Sequence, residues 1–190
     1  ADIFTKKLVN IGVSVNDVLA MGGRHTGTCM VISGKDKKTC FSDRCFLTDR
    51  GCIDDLCIEA FDRERLLNCT HFHLAGYYNI TKVMKDPSGL IDLFTEMQER
   101  GIPISLNPQF DSSECWDSMG VLAPYIDVFI ANEGEVEAIY NTIIRDPEVV
   151  KIDTLIHSKM ISKNEEDILP IHRKTALFLA LGMGNVVVTM

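Results

Sequence analysis

The sequence predicts an α/β protein: an open parallel sheet flanked by helices, with a small β-ribbon toward its amino end. Three observations carry this. Four short apolar runs, at 70–76, 102–108, 127–133 and 185–190, alternate with helix-patterned segments, the order that builds parallel sheets through right-handed crossovers. A stretch from 13 to 48 is instead β-prone and punctuated by turn residues. With 190 residues, 46% hydrophobic and 24% charged, the chain can bury one sizeable core.

In chain order, residues 2–11 read as the end of a helix, with Ile3, Lys6, Lys7 and Leu8 ahead of a stop at Gly12. From "SVNDVLAM" through "HTGTCMVISGKDKKTCFSDR" the texture is that of a ribbon, with Gly34-Lys-Asp-Lys-Lys joining two antiparallel strands. The expected organisation is a ribbon over 13–48 and an α/β core over 49–190, to which 1–12 also belong. "THFHLAG" reads as a strand. "DPSGLIDLFTEMQERG" reads as a helix with Asp86 as cap, Pro87 at its first position, Leu90, Phe94 and Met97 inward, and Gly101 as stop. "IPISLNP" is the next strand, "SSECWDSMGVLAPYI" a helix, "DVFIANE" a strand and "GEVEAIYNTII" a helix. "EEDILPIHRKTALFLALGMG" is a helix interrupted near Pro170, ahead of the strand "NVVVTM".

Net charge is −8, and the basic residues are scattered through "RHTG", "KDKK" and "DRERLL" rather than forming a stripe, which argues against a nucleic-acid partner. No apolar run reaches the roughly 18 residues that span a bilayer, and "ADIFTKKLVN" lacks the apolar centre of a signal peptide. A cytoplasmic protein without a membrane partner is expected. Seven cysteines, an odd number, predict reduced thiols. Those from Cys40 to Cys57 are spaced five, seven and five residues apart, with no C-x-x-C pair to suggest zinc. His71 and His73 fall on one face of a strand, and packed, hydrogen-bonded histidines are the expected reading over metal ligands.

Open α/β sheets bind ligands at the carboxyl ends of their strands. Gly76, Asn107, Asn132 and Thr189 stand at those ends. The stretch "DVFIANEGEVEAI" admits two readings with the same atoms. Asn132 and Glu135 have the spacing of a capping box, the asparagine accepting a first-turn N–H and the glutamate reaching back to the cap. The same carboxylate at the strand end can instead organise a hydrated magnesium ion.

The segments "HTGTCMVISGKDKKT", "RGC" at 50–52, "FHLAGYYN", "ISLNPQFD", "VFIANEGEVEAI" and "GNVVVTM", taken in order, resemble the ribokinase-type (phosphofructokinase B-like) family of sugar and nucleoside kinases. The resemblance covers essentially the whole chain, and N-x-x-E at Asn132 to Glu135 is its most specific element. It implies a Rossmann-like core and transfer of the ATP γ-phosphate to a hydroxyl of a sugar or similar polyol. It gives Asn132 and Glu135 the task of organising Mg2+, largely through water, places Asn107 near the phosphate and substrate cleft, and puts Thr189 beside the nucleotide, all as cofactor-binding residues. The ribbon becomes a lid, with Thr26, Gly27 and Thr28 over the acceptor; its alternating apolar residues, more than two strands can cover, predict either a homodimer through the lid or a bound acceptor against it. "TGTC" also resembles the lid of adenosine kinases, which makes a nucleoside the alternative acceptor. A glycine-rich G-A-G-D-type segment, which in this family supplies the anion hole and the aspartate base, is not found, so no catalytic residue is assigned. The resemblance is to the middle of such a kinase, truncated at both ends, and a non-catalytic kinase-derived module is the reading from another class.

Overall fold

The computed structural model describes residues 2–33, 44–161 and 169–189. It divides into two compact units, Ala1–Phe61 and Asp62–Met190.

In the first unit, α1 (Asp2–Asn10) ends as its sequence predicts. Gly12 adopts φ 84° and donates its N–H to Val9 O, a left-handed exit that glycine makes without a Cβ penalty. Strands β1 (Thr28–Ser33) and β2 (Arg44–Asp49) pair antiparallel, from Thr28 opposite Asp49 to Ser33 opposite Arg44. The expected connection at 34–38 lies outside the described residues, as do Cys40 and the apolar positions 39–41. No strand forms over 13–27, which passes through turns; the β-prone texture there finds no ladder. The two-stranded ribbon leaves Met30, Val31, Ile32, Phe46 and Leu47 exposed, as two strands alone cannot bury both of their faces. At its base Gly27 and Gly51 are pressed together. A Cβ on Gly51 would stand 2.6 Å from Gly27 N and His25 O, and one on Gly27 2.8 Å from Arg50 O. The Cys52 N–H donates to His25 O at 2.9 Å across this contact.

In the second unit, α2 (Arg63–Leu66) is capped by Asp62. It leads into β3 (Phe72–Ala75), α3 (Thr81–Lys85), α4 (Ser88–Glu99), β4 (Ile104–Asn107), α5 (Met119–Leu122), β5 (Val128–Asn132), α6 (Glu133–Ile143), α7 (Pro147–Ile161), α8 (Pro170–Ala180) and β6 (Asn185–Thr189). The strands form one parallel sheet in the order β3-β4-β5-β6, flanked by helices. Leu90, Leu93, Phe94 and Met97 of α4 are fully buried, which is the i, i+3, i+4, i+7 stripe of its sequence. Phe94 meets Phe72 of β3 edge-on at 6.0 Å, and Phe129 of β5 meets Phe178 of α8 at 5.6 Å. The Asp127 carboxylate accepts the Ile104 N–H at 2.7 Å and fixes where β5 starts against β4.

Two expectations are corrected. Residues 112–126 do not form one helix: α5 has a single turn, continued by a 3-10 turn at Ala123–Tyr125. Ahead of it, Glu114, Trp116 and Ser118 adopt positive φ, and the Asp111 carboxylate takes the N–H groups of Ser113 and Trp116 that a helix would need. Helix α7 was not expected at all. It starts where the Asp146 carboxylate accepts the Glu148 N–H with Pro147 between them, a start signal the sequence does contain. Val149, Ile152, Ile156 and Met160 make a half-buried helical stripe, with Val150 and Leu155 exposed off it, and the most buried position on that face is Asp153, paired with Arg173 of α8. The interruption near Pro170 is the start of α8, with proline in its first turn; 162–168 lie outside the described residues. Among the described residues no helix is long and apolar enough to cross a membrane.

Candidate active site at the carboxyl edge of the sheet

Parallel pairing places Ala75 beside Asn107, and Asn132 beside Thr189. Asn107, Asn132 and Thr189 therefore stand at the carboxyl ends of three successive strands, β4, β5 and β6, as their sequence positions imply.

Asn132 ends β5 in extended backbone and caps α6 in the same residue. Its Oδ1 accepts the Glu135 N–H at 2.9 Å, and Glu135 Oε2 accepts the Asn132 N–H at 3.1 Å. Both halves of the capping box are present, so the structural reading of N-x-x-E is satisfied. Oε1 of Glu135 has no protein partner among the described residues. Glu135 is only 7% exposed, yet it lines a cleft of about 410 Å³ together with Asn132, Gly134, Phe110, Trp116 and Arg145. One carboxylate oxygen thus holds the helix start while the other remains available to a ligand. The amide ends of α6 favour negative charge in its first turn, where Glu133 and Glu135 stand.

Asn107 is placed differently. Its Nδ2 donates to Ile130 O at 2.8 Å, and its Oδ1 accepts from Gln109 at 2.9 Å, which ties β4 to β5; it is not among the residues lining the Glu135 cleft. Thr189 is exposed at the end of the outermost strand, β6.

The loop after β4 forms a wall of the cleft through Phe110, Glu114 and Trp116. Asp111, 1% exposed, anchors it: Oδ1 accepts the Ser113 N–H at 2.9 Å and the Ser113 hydroxyl at 2.7 Å, and Oδ2 accepts the Trp116 N–H at 2.8 Å. Burial pushes the Asp111 carboxyl up, but these donors and the Cys115 amide outweigh it and hold it below the ordinary value. Its oxygens are spent on the loop, which disqualifies it as a proton acceptor for a substrate. Trp116 stacks edge-on with Tyr78 at 5.1 Å and with Phe110 at 5.6 Å, so an aromatic row runs from the core to exposed Phe110 at the cleft. Burial pushes the neighbouring Tyr77 phenol up to about 12, which keeps it neutral. The missed signal was the Asp-x-Ser spacing, a side-chain turn that competes with helix.

In the first unit, Thr26, Gly27 and Thr28 are exposed at the start of β1. His25 Nε2 lies 2.9 Å from Asp49 Oδ2, and Gly51 N–H donates to Asp49 Oδ1 at 3.0 Å. These contacts, the histidine foremost, lower the Asp49 carboxyl. They hold the segment before "TGT" against "RGC".

No protein-family model and no curated protein matches the chain. Solved structures do. A putative ribokinase II from E. coli is 21% identical with a TM-score of 0.64, the match covering 100% of this chain and 52% of that one. A PfkB protein from Polaromonas sp. JS666 is 15% identical with a TM-score of 0.65, covering 99% and 55%. The 2-dehydro-3-deoxygluconokinase of Thermotoga maritima is 24% identical with a TM-score of 0.59, covering 74% and 43%. The chain thus has a ribokinase-like fold and spans about half the length of the solved structures it matches.

Proposed function

We propose that this chain is an ATP-dependent carbohydrate kinase, or the central part of one, which transfers the γ-phosphate to a sugar hydroxyl. The observation that carries the reading is Glu135: a nearly buried carboxylate at the ligand edge of a ribokinase-like sheet, with one oxygen committed to the helix cap and the other open to a cleft. Two structural neighbours support the cofactor, an E. coli putative ribokinase II in complex with ATP and Mg2+ and a Xylella fastidiosa fructokinase with bound ATP.

The donors fit magnesium, a hard cation that takes oxygen ligands and keeps several waters. Glu135 Oε1 would receive those waters, and the Asn132 backbone N–H, donated to Glu135 Oε2, holds that carboxylate in place. Bound there, the ion would neutralise charge on the transferring phosphoryl group, for which positioning and electrostatics supply most of the catalysis. Asn107 and Thr189 flank this point on the neighbouring strands and are assigned to the nucleotide. Thr26, Gly27 and Thr28 belong to the lid over the acceptor. The exposed apolar residues of β1 and β2 are the surface through which two lids would pair in a homodimer. The enzyme would act in the cytoplasm.

A coupled ADP-release assay with ATP, Mg2+ and a panel of ribose, fructose, fructose phosphate, ketodeoxygluconate and adenosine tests this. It is run on this chain and on a longer natural chain that contains it. With neither a base nor an anion hole assigned in these 190 residues, each worth about a hundredfold or more, the expected outcome is no useful sugar turnover by them alone and turnover by a longer chain. Turnover of adenosine alone transfers the assignment to nucleoside kinases. Silence from both chains in the presence of every acceptor overturns catalysis and leaves the non-catalytic module.

A further inference from the structure

The two histidines of "THFH" do more than pack. His71 Nε2 lies 2.8 Å from the hydroxyl of Ser105, and His73 Nδ1 lies 2.6 Å from the same oxygen. Ser105 is 5% exposed in the middle of β4, directly beside His73 in the sheet register, whereas both imidazoles are exposed. Two residues apart at the start of an edge strand, the rings share one face and aim their nitrogens at a single point. The hydroxyl has one proton to donate, so neutral rings satisfy it with one N–H donor and one bare nitrogen.

We propose that His71 and His73 form a two-imidazole site for a borderline divalent transition metal such as Zn2+, Co2+ or Ni2+, with water completing the coordination. Both nitrogens lie within 2.8 Å of one oxygen, so their separation is at most twice that. A cation bound at about 2.0–2.1 Å requires them roughly 3 to 3.4 Å apart. Binding would require the rings to rotate about their side-chain bonds, turning from the hydroxyl to the metal. Ser105 limits their rotamers before the metal arrives, which reduces the ordering that binding must impose. Among the described residues no group of three or more His, Cys, Asp or Glu gathers, so the site has only two protein nitrogens and is exchangeable rather than structural. Imidazole nitrogen selects against Mg2+, so this site and the one proposed at Glu135 take different ions.

The test is a titration of the chain with Co2+ at neutral pH, followed by visible absorption and calorimetry, with and without excess Mg2+. Expected is one Co2+ per chain, a nitrogen and oxygen ligand-field spectrum without a thiolate charge-transfer band, and no displacement by Mg2+. His71→Gln and His73→Gln should each weaken binding by about tenfold or more. Glutamine still reaches the Ser105 hydroxyl, so an unchanged thermal midpoint certifies the fold of each variant. His157→Gln, on α7, should bind as the parent does. Equal affinity in both glutamine variants, a thiolate band, or no Co2+ binding by the parent chain overturns the proposal. None of these outcomes depends on kinase activity.

Discussion

Replacing Glu135 by glutamine separates the two roles its carboxylate combines. The glutamine carbonyl can still accept the Asn132 N–H that Oε2 now takes at 3.1 Å, and Asn132 Oδ1 still receives the amide of residue 135, so the capping box survives in outline. What is lost is one negative charge in the first turn of α6. A charge there is worth about 0.3–1 kcal/mol, and at roughly 2–4 °C per kcal/mol for a chain of this size the midpoint falls by about 1–4 °C. Glu135→Ala also removes the acceptor for the Asn132 N–H, and loss of that half of the box brings the cost to about 0.5–2 kcal/mol. If Oε1 organises the waters of magnesium, the glutamine variant suffers in function far beyond its stability: in a catalytically complete chain kcat falls by about tenfold or more while KM for the sugar changes little. Differential scanning fluorimetry and Mg2+-dependence of turnover, on the same preparations, give both numbers. Unchanged turnover at saturating Mg2+ together with the small loss of midpoint would refute the metal role and leave Glu135 as a cap alone.

Three further outcomes follow from contacts outside that pair. Asp153→Ala leaves Arg173 of α8 without its buried partner; because Arg173 is about one-third exposed, the cost is discounted to about 1–3 kcal/mol, read from urea unfolding, and a loss under about 0.5 kcal/mol would show that the pair is idle. Asp111 has a carboxyl lowered in the folded state, so its stabilisation is complete above the ordinary carboxyl range and is lost as pH falls through the folded value. Asp111→Asn should lower stability at pH 7 and flatten the acid limb of the stability–pH curve, and an unchanged limb refutes its anchoring role. Gly51→Ala drives a Cβ into the backbone of His25 to Gly27 at a φ of 54°; a loss of about 1–3 kcal/mol or local unfolding of 25–27, seen by hydrogen exchange, is expected, and ordinary protection there would contradict the close approach.

Local pattern determined most of this fold. The apolar stripe of α4, the N-x-x-E at the start of α6 and the four β-prone runs are periodicities and caps written within a dozen residues, and the strands fell where those runs are. Asn107, Asn132 and Thr189 were legible as strand-end residues for the same reason: parallel βαβ order puts all the carboxyl ends on one edge. Only the tertiary structure decided what is set by partners distant in sequence. Helix α7 carries a helical period at Val149, Ile152, Ile156 and Met160, but Asp153 interrupts that face, and only the ion pair with Arg173 of α8 makes an aspartate a buried residue there. The segment 112–118 is expected within a helix, but the Asp111 carboxylate, buried by the fold, takes the amide protons of Ser113 and Trp116 instead. Likewise two histidines two residues apart are bland in sequence, and a serine 32 residues from one and 34 from the other makes their nitrogens converge. Residue spacing fixes what a short segment can do with itself; burial and long-range partners decide which of those options lowers the free energy of the folded chain.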